Sequence, residues 1–253
     1  MNIVLFTEEE RVHGVDPDDH RVTHVRRVLS IHDGQYFDAG VINGMRGKAK
    51  FGVETGGRLP VEFDTMEPAG GLYPVDVVVG ISRPQTCRFV LRSLASLGVR
   101  SIEFVLTESG ERSYASSQLW SSGEYQEIVT SAVSQAFETS LPAVRFDRTL
   151  AQTIADEPVT ARPPISRICL DNYEATCSLS SAIDPGNHAT CLLVGSERGW
   201  SDRERNLIRE QGFVMASIGG RVLRVETAVV AAVSTLLALT CWPCEKGTLS
   251  TRQ

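Results

Sequence analysis

"LLVGSERGWSDRERNLIREQGFVMASIGGRVLRVETA" occupies residues 192–228 and holds two copies of one pattern. An apolar run ends in a glycine-bearing turn, and a helical segment follows. In the first copy Leu192–Val194 lead into Gly195 and Gly199, then into "SDRERNLIREQG" (201–212). Ser201 and Glu204 have capping-box spacing, Asp202 suits the positive end of a helix, and Gly212 supplies a stop. In the second copy "FVMASIG" (213–219) turns through Gly219 and Gly220 into an Ala/Val-rich helix headed by Arg221, Arg224 and Glu226. Two strand–turn–helix units in series predict a parallel α/β sheet.

The same alternation extends upstream. "VDVVVGI" (75–81) is a β-branched run of the kind buried on both faces of a sheet. "PQTCRFVLRSLASLG" (84–98) has helical spacing and a glycine stop. "SIEFVLT", "AVRF", "SRICLDN" and "ATCLLVGS" read as further strands, and "GEYQEIVTSAVSQAFE" and "TLAQTIAD" as helices. Residues 1–66 differ: "GQYFDAGVINGMRGKAKFGVE" has a β-hairpin signature around Asn-Gly, and "PDDHRVTHVRRVLS" starts a helix. "EPAGGLYP" (67–74) is the best linker candidate, so two domains are expected, 1–70 and 74–253.

The chain has 253 residues, 42% of them hydrophobic, enough for one large or two smaller cores. Its net charge of −6 removes a whole-chain basic footprint for nucleic acid, so any RNA binding needs a local patch. "MNIVLFTEEERVHG" does not read as a secretory signal, and no apolar run is long enough to span a bilayer. Six scattered cysteines suit a reduced, cytoplasmic protein. "CWPC" (Cys241–Cys244) follows a helix rather than opening one, so two incidental helix-end cysteines are the simpler reading. No ligand cluster for a metal is visible among His13, His20, His24, His32 and His188.

Neither G-x-G-x-x-G nor GK[ST] occurs, so no dinucleotide fingerprint or P-loop supports a nucleotide- or redox-linked enzyme. The two turns together are more specific. "LLVGSERGWSDRE" with "ASIGGRVLRVETA" resembles the C-terminal signature of the family that methylates uridine N3 in small-subunit ribosomal RNA. That family belongs to the SPOUT superfamily of knotted, S-adenosylmethionine-dependent methyltransferases. "HVRRVLSIHDGQYFDAG", "SLASLGVRSIEFVLTE" and "SQAFETSLPAV" resemble its upstream segments, so the likeness covers most of the chain.

The resemblance implies an α/β SPOUT trefoil-knotted domain preceded by a small PUA-like β-barrel, S-adenosyl-L-methionine as cofactor, and 16S ribosomal RNA of the small subunit as partner. It implies cofactor contacts at Leu170, Val194, Gly195, Glu197, Gly199, Ser217, Ile218, Gly219, Val222, Leu223 and Thr227. Arg224 and Glu226 take the catalytic positions, with a structural Arg224–Glu226 pair as the competing reading. RNA contacts are expected at His24, Arg26, Arg27, Arg83 and Arg88, with Arg92 and Arg112 as further basic residues. "TAVVAAVSTLLAL" (227–239), apolar all round, is expected to serve a core on one side and a homodimer on another. No membrane or metal partner is implied. The chain departs from the family wording at Ser196 and Arg198, where Pro and Gly are usual, at Ser30 and Ser93, and at Ser96 and Glu138. A non-catalytic RNA-binding or ribosome-assembly protein with the same fold is the alternative.

Overall fold

A computed structural model describes residues 2–32, 34–155, 165–184, 186 and 189–242. Its chain packs as two compact units. The first gathers the described residues of Met1–Leu72, Leu91–Gly98 and Gly123–Pro142, and the second those of Tyr73–Val90, Val99–Ser122 and Ala143–Gln253.

In the first unit β1 (Val4–Phe6), β2 (Phe37–Val41), β3 (Arg46–Phe51) and β4 (Val61–Glu67) form a sheet in that order. β1 and β2 are parallel, and the other pairs are antiparallel. The Asn-Gly hairpin joins β2 to β3, with Asn43 at φ 57° and the Gly44 N–H donating to the Val41 carbonyl at 2.8 Å. The expectation of a β-barrel meets a mixed and open sheet: β1 and β4 are its two edges, and no hydrogen-bonded closure joins them among the described residues. Phe6, Phe37 and Phe51 pack at its centre, with ring centroids 6.4 and 4.9 Å apart. The helical start at "PDDHRVTHVRRVLS" is a short helix, His20–Thr23, which loosens into a π-turn over His24–Val28. Asp19 caps it by accepting from the Arg21 N–H at 2.7 Å.

Glu138, where the family has a basic residue, is structural here. It accepts from Arg46 at 2.6 Å and from the Gly70 N–H at 3.1 Å. The reversed charge therefore sits opposite a cation rather than facing solvent alone.

Among the described residues the second unit is built on seven strands, all parallel: β5 (Tyr73–Gly80), β6 (Val99–Leu106), β7 (Ala143–Thr149), β8 (Ile165–Leu170), β9 (Cys177–Ser178), β10 (Ala189–Val194) and β11 (Val214–Ser217). Their order is β7-β6-β5-β10-β8-β11-β9. β10 is buried along nearly its whole length and β5 over all but its first two residues, as covered parallel strands must be. Leu193, Cys169, Met215 and Val78 meet Trp200 and Ile208 in one core. The last helix, Val225–Thr240, buries Val225, Val229, Ala232, Val233, Leu236 and Leu237. It is too short to cross a membrane, and no described helix is long and apolar enough to do so.

Two buried carboxylates lie within this sheet, and each has a cation. Asp76 accepts from Arg100 Nε at 2.9 Å and from Ser101 Oγ at 2.6 Å. Glu103 accepts from Arg148 at 2.7 and 2.8 Å and from Thr153 Oγ1 at 2.6 Å. Removing one partner of such a pair leaves a buried charge uncompensated. Glu103→Ala is expected to cost about 3 kcal/mol and to lower the melting temperature by roughly 6–12 °C. A thermal scan reads this directly, and an unchanged midpoint would mean the pair contributes nothing.

Candidate active site

β5, β10, β8 and β11 are successive neighbours in the sheet and run the same way, so their carboxyl ends emerge along one edge. The chain leaves β5 toward β6 and β7 on one side, while β10 and β8 lie on the other. Open parallel sheets place ligands at such a change of direction. A cavity of about 640 Å³ lies there. It is lined by Arg83 and Thr86 after β5, by Leu170 to Tyr173 at and beyond the end of β8, by Val194 to Trp200 at and beyond the end of β10, and by residues from Ala216, near the end of β11, into the last helix.

Close approach of backbones shapes the floor. A Cβ on Gly80, the last residue of β5, would come within 2.4 Å of the Ser196 nitrogen. A Cβ on Gly195 would come within 3.0 Å of Gly199 Cα. Gly199 takes φ 69°, and its N–H donates to the Ser196 carbonyl at 2.9 Å, closing a tight turn. Ser196 is buried and lies 3.4 Å from Thr107 Oγ1. The Trp200 indole N–H donates to the Leu170 carbonyl at 3.2 Å, tying the turn after β10 to the end of β8.

The helix Asp202–Glu210 fastens the remaining loops. Its capping box is formed, as the Ser201/Glu204 spacing predicts. The same Glu204 carboxylate accepts from the Glu108 N–H at 2.9 Å, and Ser201 Oγ donates to Glu108 at 2.6 Å. One turn on, Arg205 Nε donates to Asp171 at 2.8 Å, both side chains being nearly enclosed. Burial disfavours the Arg205 charge, yet its hydrogen bond and proximity to Asp171 carry its pKa above the ordinary arginine value. The other Asp171 oxygen accepts from the Tyr173 and Glu174 N–H groups at 2.7 and 2.8 Å. The segment after β8 is thus a fixed turn.

Arg198 stands where the family has glycine. Its backbone is not left-handed; Gly199 alone in this turn is. Its exposed side chain reaches the Ser109 carbonyl at 3.4 Å, so the replacement leaves the path of the turn intact. Glu197 accepts from the Arg83 N–H at 3.0 Å, linking the turns after β5 and β10. Arg224 is the N-cap of the last helix through its backbone, its carbonyl accepting from the Ala228 N–H at 2.8 Å. Among the described residues the Arg224 and Glu226 side chains form no ion pair with each other or with any other group. Cys87, beneath Arg83, is no thiolate: burial pushes its thiol up to about 12.

Of the residues the sequence singles out, Leu170, Val194, Gly195, Glu197, Gly199, Ser217, Ile218, Val222, Leu223, Arg224, Glu226 and Arg83 meet around this cavity. Gly219 and Thr227 are exposed and do not line it, and neither does Arg88. His24, Arg26 and Arg27 belong to the first unit, where His24 and Arg26 border separate cavities of about 680 and 510 Å³. Cys244 and His188 lie outside the described residues, while Cys241 is half-buried beside Thr240. Sequence reasoning missed Asp171, Asn172 and Tyr173. The Asp-Asn pair directly after a buried strand was the available signal.

This geometry is that of an RNA methyltransferase domain: residues 71–237 match the family model of that description. Over 94% of its length the chain is 36% identical to ribosomal RNA small subunit methyltransferase E of Treponema pallidum, covering 91% of that protein. The chain belongs to the ribosomal RNA small subunit methyltransferase E family. A structure of the Neisseria gonorrhoeae member, bound to S-adenosyl methionine, aligns with a TM-score of 0.76 at 25% identity, over 95% of this chain and 98% of that one. A probable rRNA-methyltransferase from Porphyromonas gingivalis shares the fold, with a TM-score of 0.79 at 20% identity over 94% of this chain and 98% of that one.

The fixed turn after β8 has a direct test. Asp171→Ala removes the acceptor for two backbone N–H groups. Amide exchange at Tyr173 and Glu174 is expected to accelerate at least about tenfold, since hydrogen bonds to a charged group contribute roughly 1.5–3 kcal/mol. Exchange at the parent rate would show the turn to be held by other means.

Proposed function

We propose that the protein is an S-adenosyl-L-methionine-dependent methyltransferase acting on N3 of a uridine in 16S ribosomal RNA of the small subunit. The observation that carries this reading is the pair Arg224 and Glu226, unpaired among the described residues and set on the rim of a strand-end cavity in a chain of this family. The cavity volume falls in the usual range for small-molecule sites, about 300–1,000 Å³. Its residues suit the cofactor. Leu170, Val194, Ile218 and Leu223 offer apolar surface for an adenine, and the Gly195–Gly199 turn leaves backbone groups open to a ribose. S-adenosyl-L-methionine supplies an activated methyl group.

The chain's own residues handle charge. Uridine N3 carries a proton and lies on the pairing edge, so it is reached only in an unpaired or extruded base. Glu226, which lines the cavity, accepts that proton or orients the group that does. Arg224 stabilises the negative charge left on the base oxygens. A cation used in this way contributes roughly 3–4 kcal/mol to the transition state, whereas an exposed structural ion pair contributes only about 0–1 kcal/mol.

The reading extends to organisation. Within the first unit, residues 1–70 serve as the PUA-like RNA-binding module, with the domain boundary at 70–74, and the exposed Arg26 and Arg27 with His24 support that role. The second unit carries the SPOUT trefoil knot, supported by β10 lying between β5 and β8 although it follows both. The last helix continues into exposed Leu239 and Trp242, which suits a homodimer interface. The protein works in the cytoplasm, on RNA of the small subunit, without a membrane partner.

Two measurements test the reading. Calorimetry is expected to detect S-adenosyl-L-methionine binding, and its absence would favour the non-catalytic RNA-binding alternative. Arg224→Ala is expected to keep the parent melting temperature and cofactor affinity while methylation of ribosomal RNA falls at least about a hundredfold. A variant that unfolds, or methylates at the parent rate, would make Arg224 architectural.

A further inference from the structure

Tyr173 is the most exposed aromatic side chain among the described residues, at 81%, and it lines the same cavity as Arg224 and Glu226. It is not on a loose loop. Its N–H is held by the buried Asp171 carboxylate, which Arg205 fixes in turn, and the Arg205 guanidinium lies 5.6 Å from its ring centre. An aromatic ring that buries so little does almost nothing for the core. A fixed backbone beneath an open ring is what a binding platform needs.

The rim around it is basic. Arg83, Arg198, Arg221 and Arg224 border the cavity, all exposed, and none has an ion-pair partner among the described residues. Both carboxylates flanking Tyr173 in the chain are matched by a cation, Glu174 by Arg209 and Asp171 by Arg205. Glu197 and Glu226 share the lining, and the four arginines outnumber them, so on a chain of net charge −6 the rim keeps a local positive excess, suited to phosphates. The apolar groups fitted to an adenine, Leu170, Val194, Ile218 and Leu223, are more enclosed than Tyr173. The ring is therefore left for a second planar partner.

We propose that Tyr173 is the stacking platform for an unpaired base of the RNA substrate, and that Arg198 holds a neighbouring phosphate. The substrate segment is then single-stranded where it meets the cavity. This inference rests on the methyltransferase reading above. An aromatic face accepts any base, and its loss typically weakens single-strand binding by about tenfold or more. Arg198, a departure from the family wording, supplies that contact.

The test uses the full-length protein, a fluorescent uridine-containing single-stranded oligoribonucleotide and its duplex. Tyr173→Ala is expected to weaken single-strand binding and raise KM for ribosomal RNA at least about tenfold, while Tyr173→Phe stays within about twofold of the parent. Affinity for S-adenosyl-L-methionine is expected to be the same in all three. Arg198→Gln should reduce the slope of log affinity against log salt by about 0.7, the value for one phosphate on a single strand. Parent-like RNA binding and KM in Tyr173→Ala would overturn the platform. So would a loss that tracks cofactor affinity, or equal binding of duplex and single strand. A parent protein that binds no cofactor and methylates nothing defeats the earlier reading instead, because oligonucleotide binding is measured without either.

Discussion

The second unit is organised around a contact with no side chain in it. The end of β5 meets the turn after β10 so closely that a methyl group at Gly80 would collide with the Ser196 nitrogen. That approach fixes the cavity floor, and a short chain of polar contacts fixes the walls. Ser196 lies beside Thr107 after β6. Glu108 next to it is bonded to Ser201 and Glu204. Arg205, one residue on, holds Asp171 after β8. One nine-residue helix thereby sets the positions of loops from three different strands.

Charge is disposed with the same economy. Asp76, Glu103, Asp171 and Glu138 each face an arginine, and each pairing is internal to its unit. The arginines that remain exposed without a counter-ion at the cavity are those of its rim. An acidic protein thus presents a basic edge where a polyanion must approach, without needing a basic sequence overall.

Local signals in the sequence were easy to read because their causes are local. The Ser201/Glu204 box, the Gly212 stop, the Asn-Gly hairpin and the β-branched run of β5 each depend on residues a few positions apart. The two glycine turns were legible for the same reason, and the family wording joined them into one site. What sequence could not supply was pairing at a distance. Asp171 and Arg205 are separated by two strands, a helix and a turn, and nothing in either's neighbourhood announces the other. Glu138 departs from the family wording, and its partner Arg46 lies far away in the chain. The open edge of the first sheet, and the two-residue strand β9, depend on register that no periodicity records.

The position of β10 has a consequence for how the chain is made. Val75 of β5 pairs with Thr190, and Ile165 of β8 with Ala189. A nascent chain emerging from its amino end can pair β5 with β6 and β6 with β7 early. The other edge of β5, with Val77 and Val79, has no partner until β10 has been synthesised. For that interval an apolar strand edge is open to solvent and to neighbouring chains. Contacts so far apart in sequence also slow the closing step. The centre of the finished sheet is among the last parts of it to exist, only β11 following it, and β5 waits with one edge open until then.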